Sequence, residues 1–300
     1  MKIQLKLYDT WLIPVMKDDV DVHILLSIMC MRAHEYTNKG DCMNKEIYYF
    51  TGTGNTLQIS KEVAKNLGDT SLISISSLLN QNIVETDADI IGIIFPVYFL
   101  NEPKIVEDFF SKLRTKEGSY IFVICNCGAQ YEGTLKISVD KLAKSNNKVS
   151  STFNVFLPDN SIAFPTPKEK HEPMIKEMIA RCKEIAKLIN KREVVESKGN
   201  KAASLFGRTV MKGICKRILG FDSMKLNESK CINCSICEKV CPINNITNNG
   251  DKPCWGDNCH MCFACIHYCP QKAVTYKRQN PNKDYQYVNP NIDIKEIIGR

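Results

Sequence analysis

The chain has no uninterrupted apolar run of the ~18 residues that a membrane-spanning helix needs, so no membrane insertion is expected. An export signal is missing too. Lys2 and Lys6 precede an apolar segment, Trp11 to Met16, that stops at Lys17-Asp18-Asp19, too little hydrophobic core for secretion. Strong charge of either sign is absent: 40 basic and 33 acidic residues leave a formal +7 over 300 residues. That excess does not argue for nucleic acid, and no recognisable DNA-binding motif accompanies it. Cysteine, by contrast, is abundant, at fifteen residues. Seven of them (Cys30, Cys42, Cys125, Cys127, Cys182, Cys215 and Cys254) stand outside any repeat. An odd number of leftover thiols argues against a secreted disulfide framework and for a reducing, cytoplasmic setting. With 44% hydrophobic and 24% charged residues, the composition is that of an ordinary globular protein of about two domains.

The remaining eight cysteines form two runs. Cys231, Cys234, Cys237 and Cys241 precede Pro242; Cys259, Cys262, Cys265 and Cys269 precede Pro270. Both read C-x2-C-x2-C-x3-C-P, at an offset of 28 residues, which is the bacterial iron–sulfur ligand pattern. A cubane cluster needs thiolates on three neighbouring corners, and a tight loop with a cysteine every third residue supplies them from one side. In two-cluster ferredoxins the fourth ligand is the last cysteine of the other run. That rule assigns Cys231, Cys234, Cys237 and Cys269 to one [4Fe–4S] cluster, and Cys259, Cys262, Cys265 and Cys241 to the other. Structural zinc also takes four thiolates, but usually from two C-x2-C pairs a dozen or more residues apart.

Upstream, strands alternate with helices. Ile47 to Phe50, Leu72 to Ile75, Asp89 to Phe95, Tyr120 to Cys125 and Thr152 to Leu157 read as strands; Thr56 to Leu67, Glu102 to Leu113 and Tyr131 to Ala143 read as helices. The apolar run through Ile90, Ile91, Ile93 and Ile94 is of the buried parallel type. A five-stranded, doubly wound α/β sheet is expected, with its ligand outside the carboxyl ends of the strands. There the first strand runs into Thr51-Gly52-Thr53-Gly54-Asn55-Thr56 and directly into a helix. Its glycines, N–H groups and hydroxyls suit a phosphate. A P-loop would carry lysine where Asn55 stands, and a dinucleotide fingerprint would place a small residue where Leu57 stands. The loop suits the terminal phosphate of a mononucleotide, held without a cation.

This loop resembles the phosphate loop of flavodoxins, which bind FMN. The resemblance implies that Pro96, Val97, Tyr98 and Phe99, after the third strand, lie near the isoalloxazine ring, with Tyr98 stacking on it. It implies that the backbone of Asn126, Cys127 and Gly128, after the fourth strand, meets the flavin edge. Cys125 and Cys127 depart from the family, in which other polar residues are common at these places.

Together the motifs resemble a bacterial family that fuses a flavodoxin-like domain to a two-[4Fe–4S] ferredoxin domain, over roughly residues 43–300. The expected organisation is an N-terminal extension of poor order (1–42), the flavodoxin-like domain (43–160), a helical linker packing on it (161–223), the ferredoxin domain (224–280) and a tail (281–300). The linker should hold a helix from Lys168 to Glu193, with a basic stretch from Lys191 to Arg217 that is solvated or steers an acidic partner. Cys254 reads as a non-ligand thiol, and His260 and His267 as exposed loop histidines. The resemblance implies an electron carrier between FMN, the clusters and an external redox partner. Two alternatives stay open: an FMN-dependent reductase of a quinone, nitro compound or enone, and an iron–sulfur redox sensor.

Overall fold

The computed structural model describes residues 43–129, 131, 133–197, 199–279 and 285–299. The expectation for residues 1–42 lies outside these. Residues 43–300 pack as one compact unit.

Five strands build the central sheet: β1 (Lys45–Tyr49), β2 (Ser71–Ser74), β3 (Ile90–Pro96), β4 (Tyr120–Cys127) and β5 (Val149–Phe156). They run parallel in the order β2-β1-β3-β4-β5. That 2-1-3-4-5 order is the flavodoxin-like one, with its ligand crevice at the β1/β3 switch point. The crossovers are α1 (Asn55–Leu67), α2 (Lys104–Lys112) and α3 (Thr134–Lys144). A two-stranded parallel pair, Val84–Thr86 with Leu113–Thr115, lies beyond the expected elements.

Both faces of the sheet are covered, which is why β3 and β4 are apolar without alternation. On one face, Ile47, Ile90, Ile94, Phe122 and Phe153 pack with α1 and with α4 (His171–Asn190), through Met178, Cys182, Ile185 and Ile189. On the other, Phe50, Ile91, Ile93, Phe95 and Val123 pack with Val106, Phe109 and Phe110 of α2. Each such side chain, fully buried, is worth about 1.5–3 kcal/mol relative to exposure.

The linker is more structured than its charge pattern implies. α5 (Lys201–Phe206) continues through π-helical turns at Gly207–Met211 and Cys215–Leu219. The Gly207 backbone lies so close to the Phe99 carbonyl that a Cβ there would sit 2.3 Å from its oxygen, so only glycine fits.

The cysteine module is small and two-fold repeated. Strand β6 (Met224–Leu226) pairs antiparallel with β9 (Val274–Tyr276), and β7 (Ile246–Asn248) with β8 (Pro253–Trp255). Short helices α6 (Ile236–Lys239) and α7 (Ala264–His267) follow the two cysteine loops. The core of the module is aromatic: Phe221 meets Phe263 at 5.3 Å and Tyr276 at 4.8 Å between ring centroids, both edge-on. Val240 and Ala264, by contrast, bury themselves in the core beside α1. The chain ends in α8 (Ile294–Ile298), opened by a capping box at Asp293 and Glu296.

Candidate functional site

Three loops meet at the carboxyl edge of the sheet. In the first, Gly54 has φ +98°, a left-handed conformation natural to glycine. Its N–H donates to Thr51 Oγ1 at 3.0 Å, closing the turn. No side chain caps α1, which leaves its first-turn N–H groups able to receive an anion. The hydroxyls divide their roles. Thr56 Oγ1 donates to Asn126 Oδ1 at 2.7 Å, joining the first loop to the third. Thr53 Oγ1 accepts from Asn160 Nδ2 at 3.3 Å, an arrangement that keeps its own proton available to donate. The Asn55 side chain is structural: Nδ2 donates to the Pro158 carbonyl, and Oδ1 accepts from the Tyr287 hydroxyl and the Asn289 amide.

The second loop turns sharply after Pro96. Tyr98 and Asn101 exchange backbone hydrogen bonds of 2.8 and 3.0 Å, and Tyr98 meets Phe50 edge-on. The third loop follows in register, Pro96 opposite Asn126. Gly128 lies against Asp159, whose Cβ would stand 2.7 Å from an added Cβ. Burial pushes the Asp159 carboxyl above the usual carboxylate range. Burial, and then Asp159, push the Cys127 thiol up to about 12, so it is a neutral thiol and no nucleophile.

A single open cavity of about 620 Å³ is bounded by all three loops. Every loop residue expected from the sequence lines it except Gly54, whose role is in the turn. The volume is that of an ordinary cofactor site. The rest of the lining was not foreseen: it includes Asp159, Asn160, Lys170 and Phe221, and Met261 and Phe263 of the cysteine module. Gly52 brings the two modules into contact, since an added Cβ would lie 3.1 Å from Tyr98 Oη and 3.2 Å from the Cys262 carbonyl oxygen.

The cysteines gather in two smaller cavities. One is lined by Cys231, Cys234, Cys237 and Cys269; the other by Cys241, Cys259, Cys262 and Cys265. Each takes three sulfurs from one run and the last from the other. No three of the described His, Cys, Asp and Glu side chains converge on one point as ligands of a single ion do. Backbone N–H groups of Asn245, Met261 and Ala273 reach Cys241, Cys259 and Cys269 Sγ at 3.2–3.4 Å. Such donors stabilise sulfur-borne charge and set cluster potentials. Burial pushes the Cys237 thiol up to about 11 and that of Cys265 well above its usual value. Cys254 lines neither cavity and is exposed.

His267 overturns the expectation of an exposed loop residue. It is 4% exposed, with Nε2 at 2.7 Å from the Asn160 carbonyl and Nδ1 accepting from the Tyr287 N–H at 3.1 Å. Desolvation lowers its pKa to about 4, so it is neutral and bridges α7, the cavity wall and the tail. The signal for it was weak: one histidine between Cys265 and Cys269 does not say which way it points.

The comparison that bears on these cysteines is direct. Residues 224–247 match the 4Fe-4S binding domain. A stretch of 60 residues is 33% identical to an uncharacterized protein of Methanocaldococcus jannaschii, covering 20% of this chain and 23% of that protein. The chain therefore spans about a quarter of that relative's length. Among solved structures, a short-chain flavodoxin associated with a non-canonical PDU bacterial microcompartment is 17% identical, covering 50% of this chain and 99% of its own, at a TM-score of 0.35. The two-electron reduced flavodoxin of Megasphaera elsdenii is 16% identical, covering 45% and 98%, at 0.28. The fold itself rests on the strand order of the sheet. The chain joins a flavodoxin-like sheet to a 4Fe–4S-type cysteine module.

Proposed function

We propose that this protein moves electrons between FMN, two [4Fe–4S] clusters and an external redox partner. The observation that carries the reading is the shared cavity, which residues of the flavodoxin-like loops and of the cysteine module line together. Bound FMN would supply a carrier of one or two electrons, and the clusters one-electron steps. The chain's own residues bind and position. The N–H groups of residues 52–56 and the Thr53 hydroxyl would hold the phosphate, and Gly52 lets the modules close together. Tyr98, Asn126, Cys127 and Gly128 would border the ring. The crossed cysteine sets would each hold one cluster, and their dispersal around two cavities favours clusters over a single-ion zinc site.

Anaerobic purification followed by iron, sulfide, zinc and flavin quantitation tests the reading. About eight iron, eight sulfide and one FMN per chain are expected. Zinc in place of iron, or full iron with no uptake of added FMN, would overturn it. One observation favours the second reading, a small-substrate reductase. The cavity continues past the loops to Lys170 and Met174, and holds in Asp159 a half-buried carboxyl that burial pushes above the usual carboxylate range. Turnover of a quinone, a nitroarene or an enone by the reduced protein, lost in Asp159→Asn, would select it.

A further inference from the structure

The two cysteine loops repeat in backbone as well as in sequence, and the repeat isolates residues that cluster binding alone does not explain. In the first run, Asn233 and Ser235 flank Cys234 with φ of 53° and 57°. At the offset of 28 residues, Met261 and Phe263 flank Cys262 with φ of 57° and 58°. The loop needs left-handed conformations at both places in both copies. The first copy fills them with residues suited to that region or bonded locally: Asn233 Nδ2 donates to the Gly250 carbonyl, and Ser235 Oγ accepts from Asn248 Nδ2. The second copy fills them with two bulky apolar residues, for which this region is strained.

What the second copy gains lies outside its own cluster loop. Met261 and Phe263, each 7% exposed, line the 620 Å³ cavity together with the flavodoxin-like loops, and Phe99 of the second loop packs against their cluster. Phe263 also lines the cavity of Cys241, Cys259, Cys262 and Cys265, so one ring borders both. Asn160 Nδ2, 3.3 Å from Thr53 Oγ1, is also 3.5 Å from the Cys262 carbonyl, bridging loop to loop. None of the other four cysteines lines this cavity. Cys234 is exposed, and Ile232 beside it is 61% exposed.

Building on the flavin–cluster reading, we propose that Met261 and Phe263 form the ring-facing wall of the flavin site and the partition across which the flavin exchanges electrons with the cluster of Cys241, Cys259, Cys262 and Cys265. The cluster of Cys231, Cys234, Cys237 and Cys269 is then the outward one, open to the external partner. Each passage inward oxidises the inner cluster by one electron and reduces the flavin by one. Two passages, with two protons from water, complete flavin reduction, and a one-electron external donor restores the clusters.

The test exchanges the second copy's residues for the first copy's, Met261→Asn with Phe263→Ser, in the full chain reconstituted anaerobically with iron, sulfide and FMN. The readouts are iron content and EPR of the reduced clusters, FMN affinity by flavin fluorescence, and the single-turnover rate of flavin reduction by photoreduced viologen at saturating FMN. The expected result is full iron with both cluster signals, FMN affinity at least tenfold weaker, and flavin reduction at least tenfold slower. Full iron with affinity and rate within twofold of the parent would overturn the proposal. Should the exchange lose iron, Met261→Gly with Phe263→Gly keeps the left-handed backbone and carries the same two outcomes. Loss of iron there as well would also overturn it, because the side chains would then serve the cluster loop. A parent protein that binds no FMN refutes the flavin reading itself, which separates the two failures.

Discussion

Single residues at this site do work that their types alone do not announce. Asp159 is the clearest case. It ends the α/β region in sequence as part of Pro158-Asp159-Asn160, which looks like an ordinary turn. In the fold its carboxylate is buried against Gly128, with Oδ1 accepting from the Ser161 N–H at 2.7 Å. Because burial raises its folded pKa, the group opposes folding once the unfolded chain ionises. Stability therefore falls as pH rises from about 3.9 through the folded value, and above that the loss is constant. Asp159→Asn keeps the Oδ1 acceptor and removes the charge. We expect a higher melting temperature for the variant at pH 7, with the difference closing as the pH approaches 4. Paired thermal melts under anaerobic conditions measure it, and an unchanged difference across that range would refute the assignment. The gathering of twelve of the thirteen loop residues at one cavity and of the eight cysteines at two others followed from local signals: glycine turns, helix N-termini and fixed ligand spacing. Asp159, Asn160 and His267 gave no such signal: Asn160 and His267 act through partners 107 residues away, and Asp159 packs against Gly128, 31 positions before it.

At the scale of elements, periodicity identified every strand of the main sheet and its crossover helices to within a few residues at either end. It missed the short Val84–Thr86 and Leu113–Thr115 pair, whose three-residue strands carry no period. It also underrated the 201–219 helix, where π-turns break the regular spacing and Gly207 and Gly213 lower the propensity. The tail is the element whose importance was least visible. The Asn289 N–H donates to the Thr53 carbonyl at 2.8 Å, and its amide reaches Asn55 and Gln58. Gln286 donates to the Ile266 and Cys269 carbonyls, the Tyr285 hydroxyl to that of Asp159, and Glu296 pairs with Lys61. The segment thus clamps the phosphate loop and α7 together. A chain ending at Lys283 is expected to bind FMN at least tenfold more weakly, since Gly54 and Asn55 lose their backing. Flavin fluorescence titration checks this, and an affinity equal to that of the full chain would show that the loop is self-supporting.

At the scale of the whole molecule, the sequence implied two domains in series, whereas residues 43–300 share cores and a cavity. Local pattern specifies each module, but their docking depends on contacts such as Gly52 with Cys262, which no period encodes. The same long-range logic governs the clusters. Cys241 belongs to the first run and lines the second run's cavity. Replacing it with alanine should therefore deplete the proposed cluster of Cys241, Cys259, Cys262 and Cys265 and leave the proposed cluster of Cys231, Cys234, Cys237 and Cys269. Iron should fall to about four per chain, and the surviving EPR signal should vanish on adding Cys234→Ala. A signal that survives both changes would mean that each run binds its own cluster.

The tail also imposes a timetable. Thr53 and its backing residue Asn289 stand 236 positions apart, and at a synthesis rate of 5–20 residues per second that separation is roughly ten to fifty seconds. The sheet can form while the chain is still growing, but its phosphate loop lacks the backing of Asn289 until that residue has been made. A nascent chain halted before Asn289 would carry the sheet without that backing.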